Sequence, residues 1–219
     1  MTQMVKAAPT KPLLLTMYGF PGSGKSYFAR QLAENMHIAH IQGDRIRHEL
    51  FSEPRYDKQE NRIVTQLMNY MTEEFLSAGV SVIYDENTSR HSTRMALREL
   101  ARRRQATPLI VWLQIDADSC YTRLEKRDRR RTEDKFSRDY DEESFARYLT
   151  SMQNPTNEDF IVISGKHTFA SQKSAVFKRL TELGLITQRT SQLNVVKPGL
   201  VNLIPQGRVD LARRNILIR

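Results

Sequence analysis

An α/β fold, a mostly parallel sheet covered by helices on both faces, is what this 219-residue sequence predicts. Three observations carry it. Apolar runs of strand length alternate five times with stretches of helical periodicity, the pattern of parallel strands joined by crossover helices. The first run, Leu13 to Tyr18, breaks into a glycine-rich turn and restarts as a helix. Two more runs, Val80 to Tyr84 and Leu109 to Leu113, are apolar enough to be buried or central strands.

Composition sets the outer limits. With 39% hydrophobic and 27% charged residues, the chain reads as one globular domain with room for an appendage. Residues 1–12 are polar and hold two prolines, and no apolar run approaches the roughly 18 residues of a membrane span. The expectation is therefore a soluble, cytoplasmic protein without a membrane partner. The single cysteine, Cys120, excludes an internal disulfide framework and fits a reducing compartment. Net charge is +9, and it is unevenly spread. From Thr187 to Arg219 six basic residues face one acid, so that stretch carries +5 and the rest only +4. Such a tail is a candidate for binding nucleic acid or another polyanion; a solvated extension, or a last strand pair with charged edges, explains it equally well.

Taken in order, the first element is the most informative. Gly19-Phe20-Pro21-Gly22-Ser23-Gly24-Lys25-Ser26 fits G-x-x-x-x-G-K-S/T at every fixed position, between an apolar run and the helical Tyr27 to Glu34. The glycines let the backbone curl so that successive N–H groups point at one phosphate. Lys25 reaches the outer phosphates, Ser26 can hold Mg²⁺, and the helix aims its positive end at the same place. This is a cradle for a nucleoside triphosphate.

The second strand, Ile38 to Ile41, ends at Gln42-Gly43-Asp44-Arg45-Ile46-Arg47. An acid just past a strand end lies at the carboxyl edge of the sheet, where open α/β folds bind ligands. Asp44 can accept a proton from a substrate hydroxyl and Arg47 can hold an anionic group; an i, i+3 ion pair on one helix turn is the other reading. A long helix follows. Asp57 and Glu60 stand at capping-box spacing, Ile63, Leu67, Tyr70, Met71, Phe75 and Ala78 recur as a core stripe, and Gly79 stops the run. The third strand ends in Asp85-Glu86-Asn87, and a carboxylate at that tip is placed to hold Mg²⁺ together with Ser26.

The helix Ser92 to Arg104 shows Leu97, Leu100 and Ala101 on one face and Arg90, Arg94, Arg98 and Arg102 spaced four apart. That stripe is by default a solvated face, with phosphate or nucleic-acid contact as the sharper alternative. In the fourth strand Trp112 reads as core. After Asp116, six basic residues from Arg123 to Arg131 crowd into nine positions. They read as a lid over the phosphates, with surface ion pairs to Glu125, Asp128, Glu133 and Asp134 as the alternative. A helical patch from Phe145 to Met152, Asn154-Pro155, a last strand Phe160 to Ile163, and a helix from about Ser171 to Leu183 before Gly184 complete the alternation. Beyond Ile186, Val195 to Val201 and Asn215 to Ile218 are candidate strands. The five histidines lack partners at ligand spacing, so no structural zinc site is expected, and His37 and His40 read as packing or solvent-facing.

As a set, these motifs resemble the small P-loop kinases: the bacterial "AAA family ATPase / predicted kinase" group, related to zeta toxins, chloramphenicol phosphotransferase and the kinase domain of polynucleotide 5′-kinases. Those families pair the glycine-rich loop with D-x-x-R after the second strand, D-x-N after the third, and arginines in a lid. Here these are Gly19 to Ser26, Asp44 with Arg47, Asp85 with Asn87, and Arg123 with Arg127. The resemblance implies a P-loop three-layer αβα sandwich with five strands ordered 2-3-1-4-5, over residues 10–185, followed by a basic extension, 186–219. It implies ATP held by Gly19, Pro21, Gly22, Ser23, Gly24, Lys25, Ser26 and Tyr27, and Mg²⁺ at Ser26 and Asp85. Asp44 would be the general base, with Lys25, Arg123 and Arg127 acting on the transferring phosphate, and Asp44, Arg47, Asn87 and Arg130 would meet the acceptor.

The expected function is thus an ATP- and Mg²⁺-dependent phosphotransferase acting on a hydroxyl of an unidentified acceptor. Glu86 keeps a second reading open, because Asp-Glu at the end of the third strand is the pairing of hydrolytic ATPases. The basic stripe and tail keep open a third, an ATP-regulated nucleic-acid-binding module. The sequence does not fix the oligomeric state.

Overall fold

Strand β1, Leu13–Tyr18, is buried at every residue, because it lies at the middle of a five-stranded sheet. The computed structural model describes residues 6–128 and 135–187. After β1 come α1 (Lys25–Asn35), β2 (Ile38–Gln42), α2 (Gly43–Leu50), α3 (Lys58–Ser77), β3 (Ser81–Asp85), α4 (His91–Arg103), β4 (Thr107–Gln114), α5 (Ala117–Glu125), α6 (Glu142–Ser151), β5 (Phe160–Ser164) and α7 (Phe169–Glu182). The strands run in the order β2-β3-β1-β4-β5, and every neighbouring pair is parallel. The predicted α/β fold and strand order are therefore observed.

Alternation along β1 assigns the layers. Leu13, Leu15 and Met17 join Phe28, Ala29 and Leu32 of α1 and Val176 and Leu180 of α7 in one apolar cluster. Leu14 points the other way, into a cluster with Val64, Met68 and Leu76 of α3 and Leu97, Leu100 and Ala101 of α4. Helices thus cover both faces, and all five strands end at the edge where the glycine-rich turn sits. The turn residues predicted to stop α3 and α7 do so: Gly79 and Gly184 take φ of 77° and 67°, a conformation that suits glycine.

Four expectations are corrected. The face of α3 against the sheet is Val64, Met68, Thr72 and Leu76, one position on from the expected stripe, and Ile63 and Tyr70 are exposed. Trp112 is half-buried: it stands edge-on between Tyr18 (5.4 Å) and Phe160 (5.8 Å) and lines a hollow together with Asn154 and Val162. The arginine stripe of α4 is not a uniform solvated face. Arg94 is buried against Glu158, Arg98 pairs with Asp159, Arg90 lines the cleft described below, and only Arg102 is simply exposed. Finally, α3 has half of its capping box: Asp57 accepts from the N–H of Gln59 and Glu60, but the Glu60 carboxylate turns elsewhere. The candidate strands Val195 to Val201 and Asn215 to Ile218 lie outside the described residues, as does the basic tail from Gln188 onward. No helix among the described residues is long and apolar enough to cross a membrane.

Candidate functional site

Along the carboxyl edge of the sheet runs a cleft of about 1360 Å³. One ordinary ligand site takes roughly 300–1,000 Å³, so the space exceeds what a nucleotide alone needs.

One wall is the turn between β1 and α1. Gly22 has φ 80°, and a Cβ there would collide with the Cys120 carbonyl oxygen, so the turn depends on glycine at that position. Gly24 caps α1 without a side-chain hydrogen bond, which leaves the first-turn N–H groups to whatever enters the cleft lined by Pro21 to Tyr27. Lys25 Nζ donates to the carbonyls of Gly19 (2.9 Å) and Phe20 (2.8 Å). Burial pushes its pKa down, while the charges of Asp85 and Asp44 oppose that shift. Ser23 Oγ is buried with no hydrogen-bond partner among the described residues. Unspent N–H groups, a half-buried cation and an orphaned hydroxyl together fit a phosphate chain.

Facing Lys25 is a group of carboxylates. Asp44 sits in the first turn of α2, and burial followed by the neighbouring charge of Asp85 raises its pKa. Asp85 closes β3 and accepts a hydrogen bond from His40 Nε2 at 3.0 Å if that nitrogen carries its proton. Sequence reasoning had placed His40 against solvent or packing. The pairing follows from β2 and β3 being neighbours, with Gln42 opposite Asp85, which nothing local to His40 reveals. Glu86 folds back over Gly43, where a Cβ would collide with its Oε2. Burial and then Asp44 push the Glu86 pKa up to about 7.

That shift has a consequence for stability. A carboxyl raised in the folded protein holds its proton more tightly than the unfolded chain does, so its contribution is fully present below the unfolded value and is lost as pH rises through about 7. Glu86→Gln cannot ionise. It is expected to be more stable than wild type near pH 8, by on the order of 2 kcal/mol, and nearly equal to it near pH 4. Urea titrations at both pH values check this, and a difference independent of pH would refute it.

The far wall comes from α2, from α3 and α6, and from the segments that precede those two helices. Arg47 does not pair with Asp44: its Nη1 donates to Glu60 (3.3 Å) and its Nη2 to Asn61 (2.8 Å), while its Nε is buried without a partner among the described residues. Glu60 also accepts from the N–H of Arg55 and Tyr56. Against the desolvation that would raise it, these donors and Arg47 hold the Glu60 carboxyl below its usual range. They also fix Tyr56 at φ 55°, a left-handed conformation uncommon for a bulky residue. Arg138, Tyr140 and Tyr148 complete this wall, and Tyr148 Oη donates to Asn87 Oδ1 at 2.9 Å. Tyr56, Glu60, Arg138 and the two later tyrosines were missed in the sequence. Only the Asp57/Glu60 spacing gave a signal there, and it pointed to capping.

Of the expected lid arginines, Arg123 and Arg127 line the cleft. Arg123 Nη2 donates to the Gly165 carbonyl (3.0 Å) and Arg127 Nη1 to that of Arg138 (3.0 Å). Arg130 lies outside the described residues. The structure therefore brings the glycine-rich turn, Asp44, Arg47, Asp85, Asn87, Arg123 and Arg127 to one cleft. Among the described residues no group of three or more His, Cys, Asp and Glu side chains is placed to hold a metal ion.

A model of the AAA domain family matches residues 14–155. No curated protein matches the chain. Among solved structures, a gluconokinase from Sinorhizobium meliloti 1021 is 20% identical, with a TM-score of 0.56 over 78% of this chain and 93% of that one. The APS kinase CysC of Mycobacterium tuberculosis, in complex with AMPPNP and APS, is 19% identical, with a TM-score of 0.56 over 79% and 99%. Chaetomium thermophilum Kti12, in complex with ADP-AlF3, is 17% identical, with a TM-score of 0.59 over 77% and 97%. At these identities the likeness is one of fold.

Proposed function

The chain belongs to the AAA domain family, and from that premise we propose that it is an ATP- and Mg²⁺-dependent kinase, moving the γ-phosphate of ATP to a hydroxyl group. The observation that carries this reading is Asp44, a half-buried carboxylate that lines the same cleft as Lys25, a cleft with room for a second ligand. Two of the similar structures, by their names, are kinases, and one holds a nucleotide analogue together with APS.

In this reading the residues from Gly19 to Tyr27 hold the triphosphate. Ser26 and Asp85 offer the hard oxygen donors that would hold Mg²⁺, which when bound neutralises charge on the outer phosphates. Lys25, Arg123 and Arg127 stabilise the charge that gathers on the transferring group, and the lid excludes water. Asp44 orients the acceptor hydroxyl and takes its proton as transfer proceeds in line through a loose transition state. Arg47, Asn87 and Arg130 shape the acceptor side. Asn87 already accepts from Tyr148 there, whereas Arg47 is engaged with Glu60 and Asn61.

One observation favours hydrolysis as the second reading. Glu86, with its pKa near 7, stands beside Asp44 in the same cleft and could activate water. The nucleic-acid-binding module draws less support, since Arg94 and Arg98 of the basic stripe are paired with acids. The experiment is to follow γ-labelled ATP with a panel of hydroxyl compounds, including 5′-hydroxyl oligonucleotides, sugars and nucleosides. Label on an acceptor that depends on Asp44 supports the kinase. Phosphate released to water at the same rate with or without any acceptor, and dependent on Glu86, refutes it.

A further inference from the structure

The sequence offers Arg47 as the residue that would hold an anionic group of the acceptor, yet its Nη1 and Nη2 go to Glu60 and Asn61. A second arginine on the same wall is differently placed. Arg138 lines the cleft with its Cζ 4.9 Å from the Tyr56 ring centroid and 5.0 Å from that of Tyr140. Stacking on rings uses the flat face of a guanidinium and leaves its in-plane N–H donors unspent. Among the described residues the Arg138 side chain makes no hydrogen bond and no ion pair. Tyr56, one half of this clasp, is held in its left-handed conformation by two N–H bonds to the buried Glu60, from its own backbone and from that of Arg55. Its hydroxyl is buried without a partner among the described residues.

We propose that Arg138, clasped by Tyr56 and Tyr140, is the subsite for an oxyanion carried by the acceptor, so that the acceptor is a hydroxy acid or a phosphate ester rather than a neutral polyol. Charge supplies the reason for such a subsite. Asp44 and Glu86 line the same cleft, and an anionic acceptor would be repelled by them unless a fixed cation met its charged end. A planar guanidinium held in one orientation matches the two oxygens of a carboxylate or phosphate and loses little freedom in doing so. The word acceptor rests on the kinase reading; the anion subsite itself does not.

The test uses the full chain saturated with Mg²⁺ and AMPPNP, so that the glycine-rich turn is filled. It is titrated with inorganic phosphate and, separately, with acetate while the NMR signal of the Arg138 Nε–H is followed. That signal is identified by its absence from both Arg138→Gln and Arg138→Lys, so either variant suffices if the other folds poorly. Saturable movement with one anion supports the subsite, and the anion that produces it names the class. If neither anion moves the signal up to about 100 mM, where a charge-assisted site would be filled, the subsite is overturned. Matched pairs then serve as acceptors with ATP: gluconate against glucose, and adenosine 3′-phosphate against adenosine. The anionic member of the productive pair is expected to have a kcat/KM about tenfold or more above its neutral partner, a preference lost in Arg138→Gln. Equal labelling of both members would overturn the subsite and leave the kinase standing. A signal that responds to anions without any labelled acceptor would leave the subsite standing and count against the kinase.

Discussion

Asp44→Asn is expected to lower phosphate transfer to the acceptor by about 10²- to 10⁴-fold, with ATP still bound. The amide keeps the shape of the side chain and its place in the first turn of α2, so the fold of the glycine-rich turn is kept, and Asp85 still supports the charge of Lys25. What goes is the proton acceptor. The wild-type pH profile carries the same information. Burial and Asp85 raise the Asp44 pKa, and only its ionised form accepts a proton, so activity should fall as pH drops through a value above the usual carboxylate range. Neighbouring Glu86, near 7, should add a second inflection in wild type that disappears in Glu86→Gln. Single-turnover transfer with Asp44→Asn beside wild type decides the matter. Undiminished transfer to the true acceptor would remove Asp44 from the mechanism.

Arg94→Met should cost about 3–5 kcal/mol of stability, the usual penalty for stranding a buried charge. Arg94 donates Nε and Nη2 to Glu158 at 3.0 and 2.9 Å and Nη1 to the carbonyls of Thr88 and Ser89, and its guanidinium lies 5.0 Å from the Tyr18 ring. Glu158 is 4% exposed at its side chain and would keep only a link to the half-exposed His91. Despite the opposing effect of desolvation, Arg94 keeps the Glu158 pKa below its usual value. That contribution is present above the unfolded value and fades as pH falls through the lowered folded one. The loss should therefore be largest near neutrality and shrink in acid, where Glu158 takes up a proton. Replacing both residues by methionine is expected to recover much of the stability, because no charge is then left unpaired. Chemical denaturation of the two single variants and the double variant measures the coupling. An additive result would mean that the pair does not hold the loop between β3 and α4.

How much of this was legible depended on distance along the chain. The glycine-rich turn, Asp44 and Asp85 each stand at a strand end, and a motif of a few residues marks them whatever the rest does. The far wall is another matter. Tyr56, Arg138, Tyr140 and Tyr148 come from three separate segments and meet only because α2, α3 and α6 stand at one edge of the sheet, so no spacing rule relates them. His40 and Asp85, or Arg94 and Glu158, are likewise joined by register and packing. On α3 two helical stripes compete, and the one chosen by counting apolar residues passes through Ile63 and Tyr70, whereas the covered one includes the polar Thr72. Periodicity finds the helix but does not rank faces that differ by one residue. Trp112 reads as core by type; it is half-covered because it borders a hollow shared with Asn154 and Val162.

The strand order has a bearing on how this protein is made. β1 and β2 are consecutive in the chain, yet they do not touch as strands; β3 lies between them and pairs with both. A nascent chain that has emerged only as far as α2 thus owns two strands and no sheet. Its phosphate-binding turn hangs from a strand with all of its ladder partners still to come. The sheet can begin when β3 leaves the ribosome, and β1 gains its other neighbour only with β4. Until then a strand that ends up buried at every residue is exposed, and this is the interval in which a chaperone would have most to do.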